Sequence, residues 1–474
     1  MSRLGRQKAS LSNSPVGTAH SLTSHDPSTG ELIAAYPRWT PCQLNAALDL
    51  ADMAQVSWGT TSLRLRSAML VRIASELRAA MPRLAQLTAR EVGKPIRDGL
   101  SEVAKCADTF DYFAHHGPRS LSSQSIRKAG THTSVNFGPC GVILCVVPPF
   151  YPYWQVVRTC APALLAGNAV VVKHGPGTTG CTLALQDSFR SAGLPPGLFQ
   201  ALLVSEDSVP DIIADARISR VAVTGRTRTG ATLTSLAGQH LKPCIPQLSG
   251  VDSFIILDDA ALTPTVEAAV RARFHNSGQS CAAAKRFLVH KSLYDKFVAR
   301  LCEAVTQLRV GDPCDSHTDV GPLASRSLRE AVHSQVERSV ALGAMTRCGG
   351  APIAGPGFFY APTILGEVSP DMPVFREEVL GPVASVMPVD SVEMAVAITN
   401  DSPYGLCASV WTASKPRALQ IAHELEVGSV FINQRAGTDP AIPFGGVKNS
   451  GYGRDLGLLG LKHLVTVKVI STLS

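Results

Sequence analysis

Residues 276 to 286 read Asn-Ser-Gly-Gln-Ser-Cys-Ala-Ala-Ala-Lys-Arg, which sets one thiol, Cys281, among small and polar neighbours where a substrate can approach closely. A thiolate at such a place is a candidate nucleophile; the competing reading is a buried, inert cysteine, a common use of this residue. Two other segments could hold an anionic ligand. Pro162 to Lys173 runs as helix, turn and apolar strand, and delivers Lys173 to the strand's carboxyl end, where open α/β sheets bind ligands. There it could hold a ribose or a phosphate, or be an ordinary surface lysine. The stretch Val223-Thr-Gly-Arg-Thr-Arg-Thr-Gly230 leaves a strand through Gly225 and opens a helix near Gly230, offering free backbone N–H groups to an anion, with Arg226 and Arg228 adding charge. The GxGxxG fingerprint is absent, and a Gly-x4-Gly spacing is also found in a plain tight βα turn.

The elements that must position these residues follow from periodicity. From Leu44 to about His116 the apolar spacing is helical, so several helices are expected before the first sheet. Short β-like runs then alternate with helical ones: Gly141 to Val147 before a helix from Trp154, Ala169 to Lys173 before one from Thr178, Leu198 to Val204 before one from Val209, then Arg220 to Thr224. Repeated βαβ units of this kind build a parallel sheet. The second half alternates again, with strands expected near 254–257, 286–290, 383–388, 408–412 and 429–432. Leu464 to Ile470 alternates as a strand with no partner beside it in sequence, open to pairing with another subunit.

Composition narrows the class. The 474 residues, 45% hydrophobic and 17% charged, can bury two or three cores. The net charge of +7 comes from basic residues scattered among acids, which favours attraction of small anions over nucleic-acid binding. The twelve cysteines include no CxxC pair and no metal-type cluster, a pattern that points to a reducing cytoplasm and to no metal. No run of about 18 apolar residues suggests a membrane span. Residues 1–24 carry Arg3, Arg6 and Lys8 and no acid but lack an apolar signal core, so a flexible N-terminus is expected there.

The order of segments resembles the aldehyde dehydrogenase superfamily across about residues 25 to 470. Besides the Cys281 segment and the Lys173 strand, the resemblance is carried by Glu91-Val-Gly-Lys-Pro95, Glu377-Glu-Val-Leu-Gly-Pro382, Asn400-Asp-Ser-Pro-Tyr-Gly405 and Pro443-Phe-Gly-Gly-Val-Lys-Asn-Ser-Gly-Tyr-Gly-Arg454. Trp154-Gln-Val-Val-Arg158, Lys173-His-Gly-Pro176, Asp252 and Ala283-Ala-Lys-Arg-Phe287 are similar to the bacterial succinate-semialdehyde dehydrogenase branch. The resemblance implies an α/β protein. A Rossmann-like cofactor domain (25–117 and 139–249) would join a second α/β catalytic domain carrying Cys281 (250–447), with a small β oligomerisation extension (118–138 and 458–474) in a homodimer or homotetramer. It implies attack of Cys281 on an aldehyde, hydride transfer to NADP or NAD, and hydrolysis of the thioester. Lys173, Pro176, Gly225, Arg226, Gly230 and Leu248 would line the cofactor, Glu378 would hold the nicotinamide ribose and Leu380 would pack near the ring. Pro176 stands where relatives carry an acid that binds the adenosine ribose, which favours NADP. Arg158 stands where related enzymes grip a distal carboxylate; with Trp154 and Tyr151 nearby it points to a short acidic aldehyde such as succinic semialdehyde. His275 is expected to be cavity wall.

Three positions depart from that pattern. Phe150, in Pro148-Pro-Phe-Tyr-Pro152, stands where the family carries an asparagine that donates to the oxyanion, and a phenyl ring donates nothing. Gln247 stands where the family carries the glutamate that activates water. Arg226 stands in place of a small serine near the pyrophosphate. Three readings follow: a working or weakened dehydrogenase, a non-catalytic binding or assembly protein of this fold, and an enzyme that passes its acyl group to coenzyme A.

Overall fold

The computed structural model describes residues 21–128 and 131–473; positions 1–20, most of the segment expected to be flexible, lie outside the described residues. Its remaining part, 21–24, belongs to a strand. Ser21–His25 pairs antiparallel with Leu32–Pro37, so a hairpin precedes the helices, contrary to the expected order. The first strand, Ser-Leu-Thr-Ser-His, is small and polar, and the second, Leu-Ile-Ala-Ala-Tyr-Pro, does not alternate, which is why the pattern gave no strand there.

Three long helices follow. Pro41–Gly59 begins at a capping box in which the Thr40 hydroxyl and the Gln43 side chain satisfy each other's backbone N–H groups. Leu63–Val92 is capped by Ser62 and stopped by Gly93 at φ 74°, a left-handed conformation suited to glycine. Ile96–Ser120 lays its apolar face, with Val103, Phe110 and Phe113, into the core. Trp58 and Gln55 tie the first helix to the end of Trp154–Ala166, donating to the carbonyls of Leu164 at 2.8 Å and Gly167 at 3.0 Å.

The first βαβ series forms a five-stranded parallel sheet in the spatial order Phe199–Ala201, Ala169–Lys173, Val142–Val146, Ile218–Thr224, Cys244–Gln247. The order reverses at Val142–Val146, and the strand ends beside it carry Lys173 and Thr224. That is a topological switch point, where ligands bind outside the carboxyl ends of strands. The second series forms a seven-stranded sheet in which Asp252–Ile256 lies between Ala284–His290 and Cys407–Trp411. Two of its strands, Met345–Cys348 and Thr363–Gly366, were not read from the sequence; the first is short, polar and at the edge.

The C-terminal strand Val465–Leu473 pairs antiparallel with Thr131–Pro139 of the same chain, in register from Val465 opposite Pro139 to Leu473 opposite Thr131. The partner left open in the sequence is thus intramolecular, more than 300 residues away. Gln124–Lys128 completes a three-stranded sheet in which the C-terminal strand remains an edge, with Val467, Val469 and Ile470 exposed.

Candidate active site

Cys281 sits between the two large sheets, at the meeting point of two cavities of about 580 and 480 Å³. The loop that presents it is strained and clamped. Asn276 and Ser277 both adopt left-handed backbone conformations, φ 52° and 55°, which cost free energy for residues with a side chain. The strain is overcome by contacts: the Asn276 N–H donates to Asp98 Oδ2 at 2.7 Å, and its side-chain amide donates to the carbonyls of Phe150 at 3.0 Å and Gln279 at 3.1 Å. The buried Lys285 ammonium donates to the carbonyls of Ser280, Cys281 and Ala283 at 3.1, 2.6 and 3.1 Å. Burial pushes the Cys281 thiol up; Arg158 and Lys285 pull it down, while Glu378 and Asp252 raise it again. The resting form near neutrality is the thiol.

The larger cavity joins the carboxyl ends of the first sheet to the second sheet. Lys173, Pro176, Gly225 and Arg226 line it on one side, Leu248, Glu378 and Leu380 on the other. Lys173 donates to the His174 carbonyl at 2.6 Å, its basicity lowered by burial and partly restored by Glu206, which lines the same cavity. Gly175 is required by packing, because a Cβ there would collide with the backbone of Pro148 and Pro149. The helix after Gly225 starts at Thr227, and Arg226 gives it no side-chain cap; the Thr227 N–H donates to the Ser249 hydroxyl at 3.3 Å, which leaves the N–H groups of Arg228 and Thr229 for an anion. Gly230 departs from expectation. It lies inside that first turn, its N–H is bonded to the Arg226 carbonyl at 2.9 Å, and a Cβ would strike the Leu248 side chain. Its role is close packing, and it offers no free N–H.

Glu378 Oε1 accepts from the Gly250 N–H at 3.2 Å and its carboxylate faces the larger cavity. Gln247, at the end of Cys244–Gln247, is 4% exposed; its amide nitrogen donates to the Phe444 carbonyl at 3.2 Å, while its Oε1 is buried without a hydrogen-bond donor. Phe150 lines the larger cavity and packs against the apolar cluster of the second sheet. Open room, two cations, two free N–H groups at a helix start and a carboxylate together suit a dinucleotide with its anionic pyrophosphate and ribose hydroxyls.

The smaller cavity lies on the opposite side of Cys281, walled by Trp154, Arg158 and His275 among others. Helix Trp154–Ala166 has no side-chain cap of its own; Glu102 supplies one from a distant helix, accepting from the N–H groups of Tyr153 at 3.0 Å and Trp154 at 2.8 Å while paired with the buried Lys94. Arg158 is 2% exposed, with Nε 3.2 Å from Asp455 Oδ2 and Nη2 2.6 Å from Thr224 Oγ1. His275 Nδ1 stands 3.1 Å from Asp98 Oδ1. Burial raises the Asp98 carboxyl, but the His275 contact, the Asn276 N–H and Lys94 together hold it below the usual range.

The residues singled out from the sequence thus fall at one locus, except that Gly230 packs behind it and Arg228, exposed on the helix, lines neither cavity. Asp98, Glu102, Lys105, Glu206, Asp252 and Asp455 were not recognised as members, apart from Asp252 as a branch marker. Each reaches the site from an element remote in sequence, and no local spacing marks it.

Residues 16–470 match the Aldehyde dehydrogenase family. The chain is 40% identical over 447 residues to the succinate semialdehyde dehydrogenase Sad, NAD(P)+, of Escherichia coli K12, covering 94% of this chain and 97% of that one. It is 39% identical over 449 residues to the probable succinate-semialdehyde dehydrogenase, NADP(+), of Synechocystis, covering 95% and 99%. The crystal structure of succinic semialdehyde dehydrogenase from Streptococcus pyogenes in complex with NADP+ superposes with a TM-score of 0.93 at 33% identity, over 96% of this chain and all of that one. A match over nearly the whole chain, on a fold that sets Cys281 where two cavities meet, makes this protein a member of the aldehyde dehydrogenase family.

Proposed function

We propose that the protein oxidises a short acidic aldehyde, of the succinic semialdehyde class, with NADP or NAD as acceptor, through Cys281. The observation that carries this reading is the position of that thiol at the junction of the two cavities. The names of the similar proteins agree with it. The chemistry a bound NADP or NAD supplies is acceptance of a hydride from the aldehyde carbon. Lys173 and the free N–H groups at the start of helix Thr227–Gln239 would hold its adenosine and pyrophosphate end, Arg226 adding charge, and Glu378 and Leu380 would hold the nicotinamide ribose and ring. The division into a cofactor domain (25–117 and 139–249), a catalytic domain (250–447) and an oligomerisation extension (118–138 and 458–474), in a homodimer or homotetramer, belongs to the same reading.

Cys281 Sγ bonds to the aldehyde carbon, its proton leaving for water, and forms a thiohemiacetal. The oxyanion faces the Cys281 backbone N–H with no side-chain amide from position 150, where Phe150 offers only a ring. After oxidation the acyl group stays on Cys281 as a thioester. Water must cleave it without a carboxylate at 247: the Gln247 amide keeps a hydrogen-bonding shape but takes no proton. Both chemical steps are slowed, and hydrolysis is limiting.

The experiment is rapid mixing of excess protein with cofactor and succinic semialdehyde, following reduced nicotinamide by absorbance. A burst that Cys281→Ala abolishes, followed by slow turnover, is the expected result. Absence of the burst, with cofactor binding shown by calorimetry, overturns it in favour of a non-catalytic binding protein, the reading that the pairing of Phe150 with Gln247 favours next. A coenzyme A thioester in the products would redirect it to acyl transfer.

A further inference from the structure

The smaller cavity contains an ammonium that makes no ion pair among the described residues. Lys105, from helix Ile96–Ser120, points its Nζ over the Trp154 ring, 4.1 Å from the centroid, and donates to the Thr438 hydroxyl. Three of the acids around it are engaged elsewhere, Asp98 with His275, Glu102 with Lys94 and Asp108 with Arg78, and Asp439, which lines the same cavity, makes no ion pair with it. Arg158, expected from the sequence to grip a carboxylate, is engaged too, between Asp455 and Thr224. Arg435 lines the same cavity and adds positive potential beside Lys105.

We propose that Lys105, set over Trp154 in the cavity that reaches Cys281, is the docking point for the distal carboxylate of the substrate, while Arg158 shapes the cavity through its ion pair with Asp455. This rests on the reading of the substrate as an acidic aldehyde. A cation half withdrawn from water and lacking a counter-ion is costly, and an anion that enters the cavity recovers that cost in surroundings where charges are weakly screened. The indole beneath it supports the ammonium by cation–π attraction and presents a flat apolar wall to a short methylene chain. Burial pushes Lys105 down to about 8; Arg435 and Arg158 act in the same direction, and Cys106 and Asp439 oppose it. Carboxylate binding requires the protonated amine, so affinity falls as pH rises through about 8.

The test is titration calorimetry of the full-length chain saturated with NADP. The probe is 4-hydroxybutyrate, an unreactive carboxylate of the substrate's length, with 1,4-butanediol as the uncharged control. Lys105→Met is expected to weaken 4-hydroxybutyrate by about 10- to 100-fold, the range of a lost charge-assisted contact, while leaving NADP affinity unchanged. Lys105→Arg is expected to retain most of the affinity and to remove its decline above pH 8. Unchanged affinity in Lys105→Met, with loss in Arg158→Lys, would overturn the assignment and return the carboxylate to Arg158. If the wild-type chain binds the carboxylate no better than the diol, the acidic-aldehyde reading itself fails and the assignment with it.

Discussion

The two cavities that meet at Cys281 are built in different ways. The larger is made mainly where strands end: Lys173, Thr224, Gly225 and Gln247 all lie at or just beyond the carboxyl ends of one parallel sheet. Its ligand groups are backbone amides, two cations and the Glu378 carboxylate from the facing side, with Glu206 near Lys173. The smaller is made of side chains from separate helices and loops, held by two buried ion pairs, Lys94 with Glu102 and Arg158 with Asp455, and by the half-buried contact of Asp98 with His275. A cavity of the first kind binds the constant parts of a cofactor and tolerates substitution at its rim. One of the second kind depends on each partner, because removing half of a buried pair leaves an uncompensated charge.

The sharpest way to break this contrast is at Arg158. Arg158→Ala leaves Asp455 buried alone, its carboxyl already raised by burial, and should cost about 3–5 kcal/mol of stability in chemical denaturation. Lys173→Ala, at the open cavity, should leave stability near that of the wild type. A denaturation midpoint equally lowered in both would remove the distinction.

The catalytic substitutions test the contrast from the other side, since both face the larger cavity. Phe150→Asn with Gln247→Glu should raise steady-state turnover by about 100- to 1,000-fold, through the oxyanion donor and the water-activating carboxylate together. In single variants Phe150→Asn should speed the burst and Gln247→Glu the turnover that follows. Lack of gain in the double variant, with the burst unchanged, would show that other groups already carry both tasks.

A pH-dependent effect is expected at Asp252, behind the nucleophile loop. Burial raises its carboxyl to about 7, Lys285 and Arg286 pulling the other way, and its Oδ2 is buried with no donor while Oδ1 accepts from the Cys407 N–H at 3.1 Å. A carboxyl whose folded-state pKa lies above its unfolded one binds more protons when folded, so it lowers stability progressively as pH rises from about 4 to 7. Asp252→Asn should therefore match the wild type near pH 4 and gain on it up to pH 7, measured as melting temperature against pH. A difference independent of pH would show that Asp252 keeps its charge in the fold.

The larger cavity was legible before any coordinates because its parts are local. An apolar run ending in a lysine, as at Ala169–Lys173, announces both the buried strand and the place where its end emerges. Gly230 shows the limit of that reading: the spacing Gly225 to Gly230 suggested an anion turn, whereas its close approach to Leu248 depends on how Cys244–Gln247 and the segment after it lie against the helix. The smaller cavity left almost no local trace. Lys105 and Glu102 look like ordinary helix charges in sequence, and only the packing of Ile96–Ser120 against Trp154–Ala166 brings one over an indole and the other onto a helix end.

From the order of its residues alone, this protein is an α/β chain of repeated βαβ units with a thiol in a small-residue loop, because side-chain periodicity and glycine and proline placement act over a few residues. Tertiary structure alone decided three further things. The C-terminal strand closes on Thr131–Pro139 of its own chain, Arg158 is tied to Asp455, and Lys105 is set over Trp154 with no ion pair among the described residues. Each depends on which distant charge or strand edge folding brings within a few ångströms, and on the water it removes there; neither is written in local sequence.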